Sequence, residues 1–214
     1  MKFIWLVGLP IIFLLILAKP CEASRKADGN LLKCKGPGCE AVAVEIPWPE
    51  APSTDESITI LFRGLSFRVP SDVASVGIGD NLSVFRFKNG EPLLLGCETF
   101  SALKLPKRGL SVIEAANVLF TKTPKDPEPS GKDNRKSWRL MLSMKRGLFQ
   151  TNPRLAVYRK GPVTIYQITK GPGPYRNVAL VSHAHSRNFL MRLESNCETN
   201  KFVEILSTIS VKEK

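Results

Sequence analysis

Two runs near the middle of the chain, "ITILFRG" from Ile58 and "LSFRVP" from Leu65, alternate apolar and polar side chains. A period of two predicts half-buried strands. Further on, "LSVFRFKNGEPLLLGCE" sets two apolar runs on either side of Asn89-Gly90. That pair readily takes positive φ, so a hairpin with a tight two-residue turn is predicted. The period then lengthens. "SVIEAANVLF" puts Ile113, Ala116 and Leu119 or Phe120 on one helical face, and Ser111 and Glu114 have capping-box spacing. "KTPKDPEPSGKDN", with three prolines and a glycine, is a loop.

A second helix is predicted over "RKSWRLMLSMKRGLF", with Gly147 as its stop. Trp138, Leu140, Met141, Leu142 and Met144 form a broad apolar stripe flanked by cations. Such a stripe packs in a core, and a basic amphipathic helix lying on a membrane surface is the alternative. Strands follow: "LAVYRK" and "VTIYQIT" meet at Gly161-Pro162, "KGPGPYRN" makes a wider turn, and "VALVSHA" turns through "HSRN" into "FLMRLES". A last helix, "TNKFVEILSTI", is capped by Thr199 and buries Phe202, Ile205, Leu206 and Ile209. The order of elements predicts an α+β domain over residues 58–214, an antiparallel sheet covered by helices.

Two other segments precede it. Residues 1–23, "MKFIWLVGLPIIFLLILAKPCEA", have the form of a secretory signal. Phe3–Ala18 is free of charge but short of the roughly 20 residues of a spanning helix. "CEA" ahead of Ser24 suits a signal peptidase. An uncleaved anchor and a lipid on Cys21 are the alternatives, although Lys19 and Pro20 stand where a lipoprotein signal has small residues. Residues 24–57 are a Pro-rich leader with a small Cys loop. Pro47, Pro49 and Pro52 remove backbone donors there. The leader's acids, Glu45, Glu50, Asp55 and Glu56, are placed to lie over basic regions of the same chain, and Trp48 is either a plug on the domain or an exposed recognition residue.

Export to a periplasmic or secreted location changes the meaning of the cysteines. Cys34, Cys39, Cys97 and Cys197 remain after cleavage, an even number in an oxidising compartment. Pro37-Gly38 offers a turn that brings Cys34 to Cys39, which leaves Cys97–Cys197 as a long-range staple. A zinc ribbon is disfavoured by the unequal spacing of the two pairs.

Charge then sharpens the picture. The net charge is +12, and Pro129–Leu193 holds thirteen Lys or Arg against one acid, Asp133. The excess is regional. Either these cations are scattered solvated positions, or they form a face for an acidic partner, whose encounter it would speed. The candidate contacts are Arg135, Lys136, Arg139, Lys145 and Arg146 on the flanks of the second helix, Arg159 and Lys160 at a hairpin tip, and Lys170 and Arg176 at the next turn. Arg139, Arg146 and Arg159 rank first, because a guanidinium grips a carboxylate in two places.

Catalytic constellations are not found. "GLSF" and "GLSV" lack the second glycine of a serine elbow, and "PSGKD" lacks both the upstream glycine and the hydroxyl residue of a P-loop. His183 and His185 have the spacing of a strand-borne metal pair without a third ligand nearby, so they are expected to be polar turn residues. No catalytic residue, metal or cofactor is expected. Aromatics (Trp138, Phe149, Tyr158, Tyr166, Tyr175) interleave with the cations, but export argues against nucleic acid as the partner.

"FRGLSFRVPSD", which contains a Phe-x-x-Pro strand, and "FLMRLESNCETNKFVEILSTI", a strand followed by an F-x-x-I-L helix, resemble the PsbP-like fold over roughly residues 58–210. The resemblance implies an antiparallel sheet covered by helices, and binding or assembly rather than catalysis. Exported bacterial relatives of that group include envelope lipoproteins, and similar small secreted α+β proteins act as immunity proteins. The expected function is therefore an exported, non-enzymatic binding protein with a basic face for an acidic protein, in concrete form an immunity protein neutralising a secreted toxin. An envelope component held to anionic lipid or wall polymer is the alternative. N-terminal sequencing of the exported chain should give a start at or near Ser24. A start at Met1, or a lipid on Cys21, would contradict the signal assignment.

Overall fold

The computed structural model describes residues 34–50, 56–80, 82–99, 101–170, 174–184 and 188–211. Residues 1–23, expected to be a secretory signal, and Asp55 and His185 lie outside them, so Cys21 does too. In chain order the elements are α1 (Pro37–Glu40), β1 (Val44–Glu45), β2 (Ser57–Phe62), β3 (Leu65–Pro70), β4 (Val73–Ile78), β5 (Leu82–Phe87), β6 (Pro92–Thr99), α2 (Val112–Thr121), α3 (Lys132–Leu148), β7 (Arg154–Lys160), β8 (Val163–Thr169), β9 (Asn177–His183), β10 (Phe189–Ser195), α4 (Thr199–Ser207) and β11 (Ser210–Val211).

The fold is mixed α+β and mostly sheet. Eight strands run in the order β1-β7-β8-β9-β10-β6-β5-β4, and three more in the order β11-β3-β2. The large sheet is antiparallel except at one edge, where Val44 and Glu45 pair in parallel with Ala156 and Val157. Residues alternate between two cores, as a period of two requires. On β7, Ala156 and Tyr158 enter a core with Phe67, Leu193, Phe202 and Leu206, while Leu155 and Val157 enter another with Phe120, Trp138, Met141 and Leu190. Strands buried on both faces read as continuous apolar runs, which is how "LLL" at 93–95 sits in mid-sheet.

Several local expectations hold. α2 carries the complete capping box, with the Ser111 hydroxyl accepting from the Glu114 N–H and the Glu114 carboxylate accepting from the Ser111 N–H. Phe202, Ile205, Leu206 and Ile209 are buried. Others need correction. The β5–β6 turn is not a two-residue turn with both φ values positive. Only Gly90 has positive φ (86°), the Gly90 N–H donates to Phe87 O, and the Phe87 N–H donates to Glu91 O. That is a three-residue loop, a type I turn closed by a left-handed glycine. The Asn89 side chain bonds Glu91 instead of tightening the turn. Thr199 does not cap α4: Glu198 is the N-cap, and the Thr199 hydroxyl bonds the Asn177 side chain. β4 escaped prediction because it is an edge strand with only Val73 packed inward, so its sequence shows no alternation.

The described part of the leader, residues 34–50, packs on the domain. Residues Leu32–Lys214 form one compact unit. Cys39 is fully buried, and Trp48 packs on the core of Phe202 and Leu206, its indole N–H donating to Ser207 O at 3.0 Å. The plug reading of Trp48 is the one observed.

Of the two expected disulfides, Cys34–Cys39 is present, with Cα atoms 5.8 Å apart. Cys97 and Cys197 are free thiols. Register explains why. Cys97 faces Met191, whereas Cys197 lies two residues past Ser195, which faces Leu93. Four strand residues separate those rows, roughly 13 Å at about 3.3 Å each. A disulfide needs Cα atoms within about 7 Å. Burial pushes the Cys197 thiol up, which leaves it protonated and inert.

Phe202→Ala should lower unfolding free energy by about 3–5 kcal/mol, since it opens a cavity under α4. Ile78→Ala, at a side chain that is 84% exposed, should change it by less than about 0.5 kcal/mol. Urea denaturation of both variants checks the contrast.

Candidate binding surface

The predicted basic positions do not converge on one face. Lys160 pairs with Val163 and Arg159 with Thr164 at one end of the β7–β8 hairpin. Lys170 and Arg176 flank the turn at the other end, where the Lys170 N–H donates to Arg176 O. The seven-residue strand β8 lies between the two groups. Its length holds them about 20 Å apart.

α3 does gather cations. Ser137, Trp138, Met141, Leu142 and Lys145 are its buried line. Lys132, Arg135, Lys136, Arg139 and Arg146 share the opposite, exposed face, as a 3.6-residue period demands. Arg139 is committed within the chain: its Nε and one terminal nitrogen donate to the two oxygens of Glu128 at 2.7 and 2.8 Å. The hydrogen bond from Arg139 holds the Glu128 carboxyl below its usual range. Arg159 is likewise paired, with Glu45 at 3.4 Å, so one leader acid does cover a cation. Lys160 stands over the Trp48 ring.

Lys145 is a correction of a different kind. It is fully buried rather than exposed, and its ammonium donates to Lys122 O at the C-terminal end of α2. A cation there satisfies an orphan carbonyl and complements the helix dipole. Desolvation by burial lowers its pKa to about 8, against weaker support from Asp126 and Glu40. The sequence did carry the signal. Lys145 is seven residues after Trp138 and four after Met141, on the stripe itself.

The structure brings two further cations close to α3. Gly109 lies so close to α3 that a Cβ there would meet Ser137 Oγ at 2.1 Å and Asp133 O at 3.0 Å. The Leu110 N–H donates to Ser137 Oγ, which in turn donates to Asp133 O. This approach sets the exposed Lys107 and Arg108 beside the first turns of α3. Among the described residues, Lys107, Arg108, Lys132, Arg135 and Lys136 make no salt bridge, whereas Lys122, Lys125, Arg139, Arg159, Arg192 and Lys201 each do.

Arg192 is half-buried on β10. It bonds Glu98 across the β6–β10 pairing and reaches Glu194 on its own strand at 3.6 Å. Burial raises the Glu194 carboxyl, and Arg192 opposes that rise. His183 is buried on β9. Among the described residues no group of three or more His, Cys, Asp or Glu is placed to hold a metal ion. No helix among them is long and apolar enough to cross a membrane.

No family model matches the chain. No curated protein matches it. A solved structure from Bacteroides thetaiotaomicron VPI-5482, at 1.50 Å resolution, aligns with 71% of this chain and 46% of its own at 7% identity, with a TM-score of 0.31. The chain thus spans under half the length of that protein.

The buried ammonium gives a pH test. Its folded-state pKa of about 8 lies below the ordinary 10.5, so between those values the unfolded chain holds more protons. Stability must then rise with pH across that window. Relative to Lys145→Met, which keeps the side-chain volume without the charge, the wild type should gain on the order of 1–3 kcal/mol from pH 8 to 10.5. Denaturation curves at both pH values check this, and a flat difference would contradict the burial of the charge.

Proposed function

We propose that this chain is an exported, non-enzymatic binding protein that engages an acidic protein through the α3 surface. An immunity protein neutralising a secreted toxin is the concrete form of that reading. The observation that carries it is the division of the cations. Among the described residues, six cations are matched to acids of the chain and several others stand singly on separate elements, but Lys107, Arg108, Lys132, Arg135 and Lys136 lie on or beside the first turns of α3 with no salt bridge. Such a field draws an acidic partner in and orients it before contact. The paired Arg139 and the more distant Arg146 extend the same helical face.

The Cys34–Cys39 disulfide supports an oxidising location. The layering is read the same way, with α2 and α3 on one face of the large sheet and α4 with the small sheet on the other. An antiparallel sheet with helices over it is what the proposed PsbP-like likeness would require, and α3 keeps one face exposed.

The triple variant Arg108→Glu, Arg135→Glu, Lys136→Glu should fold normally, because exposed substitutions usually change stability by less than about 0.5 kcal/mol each. With polyglutamate as an acidic probe, its association at low salt should be at least about tenfold slower than wild type, and salt should erase the difference. Lys170→Glu, Arg176→Glu should associate at the wild-type rate. Equal rates for the triple variant and wild type would refute the α3 surface. Stronger capture by phosphatidylglycerol vesicles than by polyglutamate would favour an envelope role instead.

A further inference from the structure

The segment Cys34–Trp48 straps the β7 edge of the large sheet. It begins in the core of the two long helices, where Cys34, Ala41 and Ala43 pack. Gly38 seats α1 directly on the last turn of α3. A Cβ there would meet Arg146 O at 2.9 Å and the Phe149 carbonyl carbon at 3.1 Å, so only glycine permits this approach. The Ala43 N–H then donates to Phe120 O near the end of α2, and the Ile46 N–H to Val157 O, both at 2.9 Å. The strap ends at Trp48 in the opposite core.

Little apolar burial holds its middle part. Val42, Val44 and Ile46 are 44%, 64% and 40% exposed. What remains is backbone bonding to β7, the α1 seat, and two exposed ion pairs, Glu40–Lys125 at 3.2 Å and Glu45–Arg159 at 3.4 Å. Surface pairs of this kind contribute at most about 1 kcal/mol. A single helical turn such as α1 does not persist by itself, because nucleation is unfavourable. The Cys34–Cys39 bond closes that turn around Pro37 and Gly38.

We propose that this disulfide is a redox-sensitive clasp on the strap. Oxidised, it keeps α1 shaped to fit α3, holds β1 on β7, and keeps Glu40 and Glu45 over Lys125 and Arg159. Reduced, it lets the α1–β1 part leave, which uncovers the β7 edge and frees those two cations. Cys34 is the half-buried residue of the pair and Cys39 the fully buried one, so attack is assigned to the Cys34 sulfur. A dithiol reductant attacks there with one thiolate, and Cys39 departs as a thiolate and takes a proton. The second thiol of the reductant then attacks the mixed disulfide, and Cys34 leaves and is protonated in turn. The chain gains two electrons and two protons, and the reductant is oxidised to its own disulfide. Cys97 and Cys197 are thiols before and after.

Amide hydrogen exchange of the full chain, with and without dithiothreitol, tests the clasp. Reduction should speed exchange at Ala43 and Ile46 on the order of tenfold, the scale of a lost short-loop closure, while Val181 and Leu193 in mid-sheet stay unchanged. Cys34→Ser, Cys39→Ser should exchange like the reduced wild type and ignore the reductant. Unchanged rates at Ala43 and Ile46 on reduction would overturn the proposal. So would equal acceleration at Val181 and Leu193, which would mean that the whole fold loosens. The wild-type comparison decides the matter even where the double variant fails to fold.

Discussion

The antiparallel pairing of β6 with β10 is the constraint on which the rest depends. β4, β5 and β6 are made before the two long helices, and β7 to β10 after them. They become one sheet only because Leu93–Thr99 lies against Phe189–Ser195 in seven matched pairs. The paired residues are about a hundred positions apart in sequence, so loop closure must precede any gain from the contact. Its register decides both cores at once. Leu93, Leu95, Met191 and Leu193 face one core, and Leu190 faces the other. A slip of one residue would drive Arg192 into the first core. The Glu98–Arg192 bond spans this seam, with Gly96 opposite Arg192. The pair is partly buried, and separating such partners is costly, so a slipped register that parts them is disfavoured.

The same geometry explains why a regional charge excess does not become a single face. Antiparallel neighbours return the chain to opposite ends of the sheet with each strand. Cations at successive turns therefore alternate ends, as Arg159–Lys160 and Lys170–Arg176 do. Several others are consumed in building the molecule: Lys145 on the end of α2, Arg192 on the seam, Arg139 on Glu128. What is left together belongs to one helix and the loop pressed against it. A helix can gather like charges along a face, whereas a meander of hairpins distributes them.

Much of the fold was legible in the sequence. β3, the capped helix at Ser111 and the final helix follow from period, because each buries one clear face, and β7 to β10 follow from apolar runs bounded by turn residues. β4 was hidden because an edge strand with an exposed surface has no inward face to set a pattern. β1 was hidden because a two-residue strand between prolines is defined by its partner rather than by itself. Cys34–Cys39 was read correctly, but the pairing of Cys97 with Cys197 failed for a related reason. Parity predicts how many thiols can pair, while register decides which can meet, and register is not local. The candidate surface was half legible. Arg135 and Lys136 follow from the helical period. Lys107 and Arg108 depend on the close approach of Gly109 to Ser137, a tertiary contact without a sequence signature.

The proposed acidic partner meets the α3 face with its neighbouring loop, and not the hairpin ends. Backbone amide shifts during a titration with polyglutamate measure this directly. Changes should concentrate at Lys107–Leu110 and Lys132–Lys136, with Lys160, Lys170 and Arg176 unmoved. Changes centred on the strand ends, with α3 silent, would contradict it.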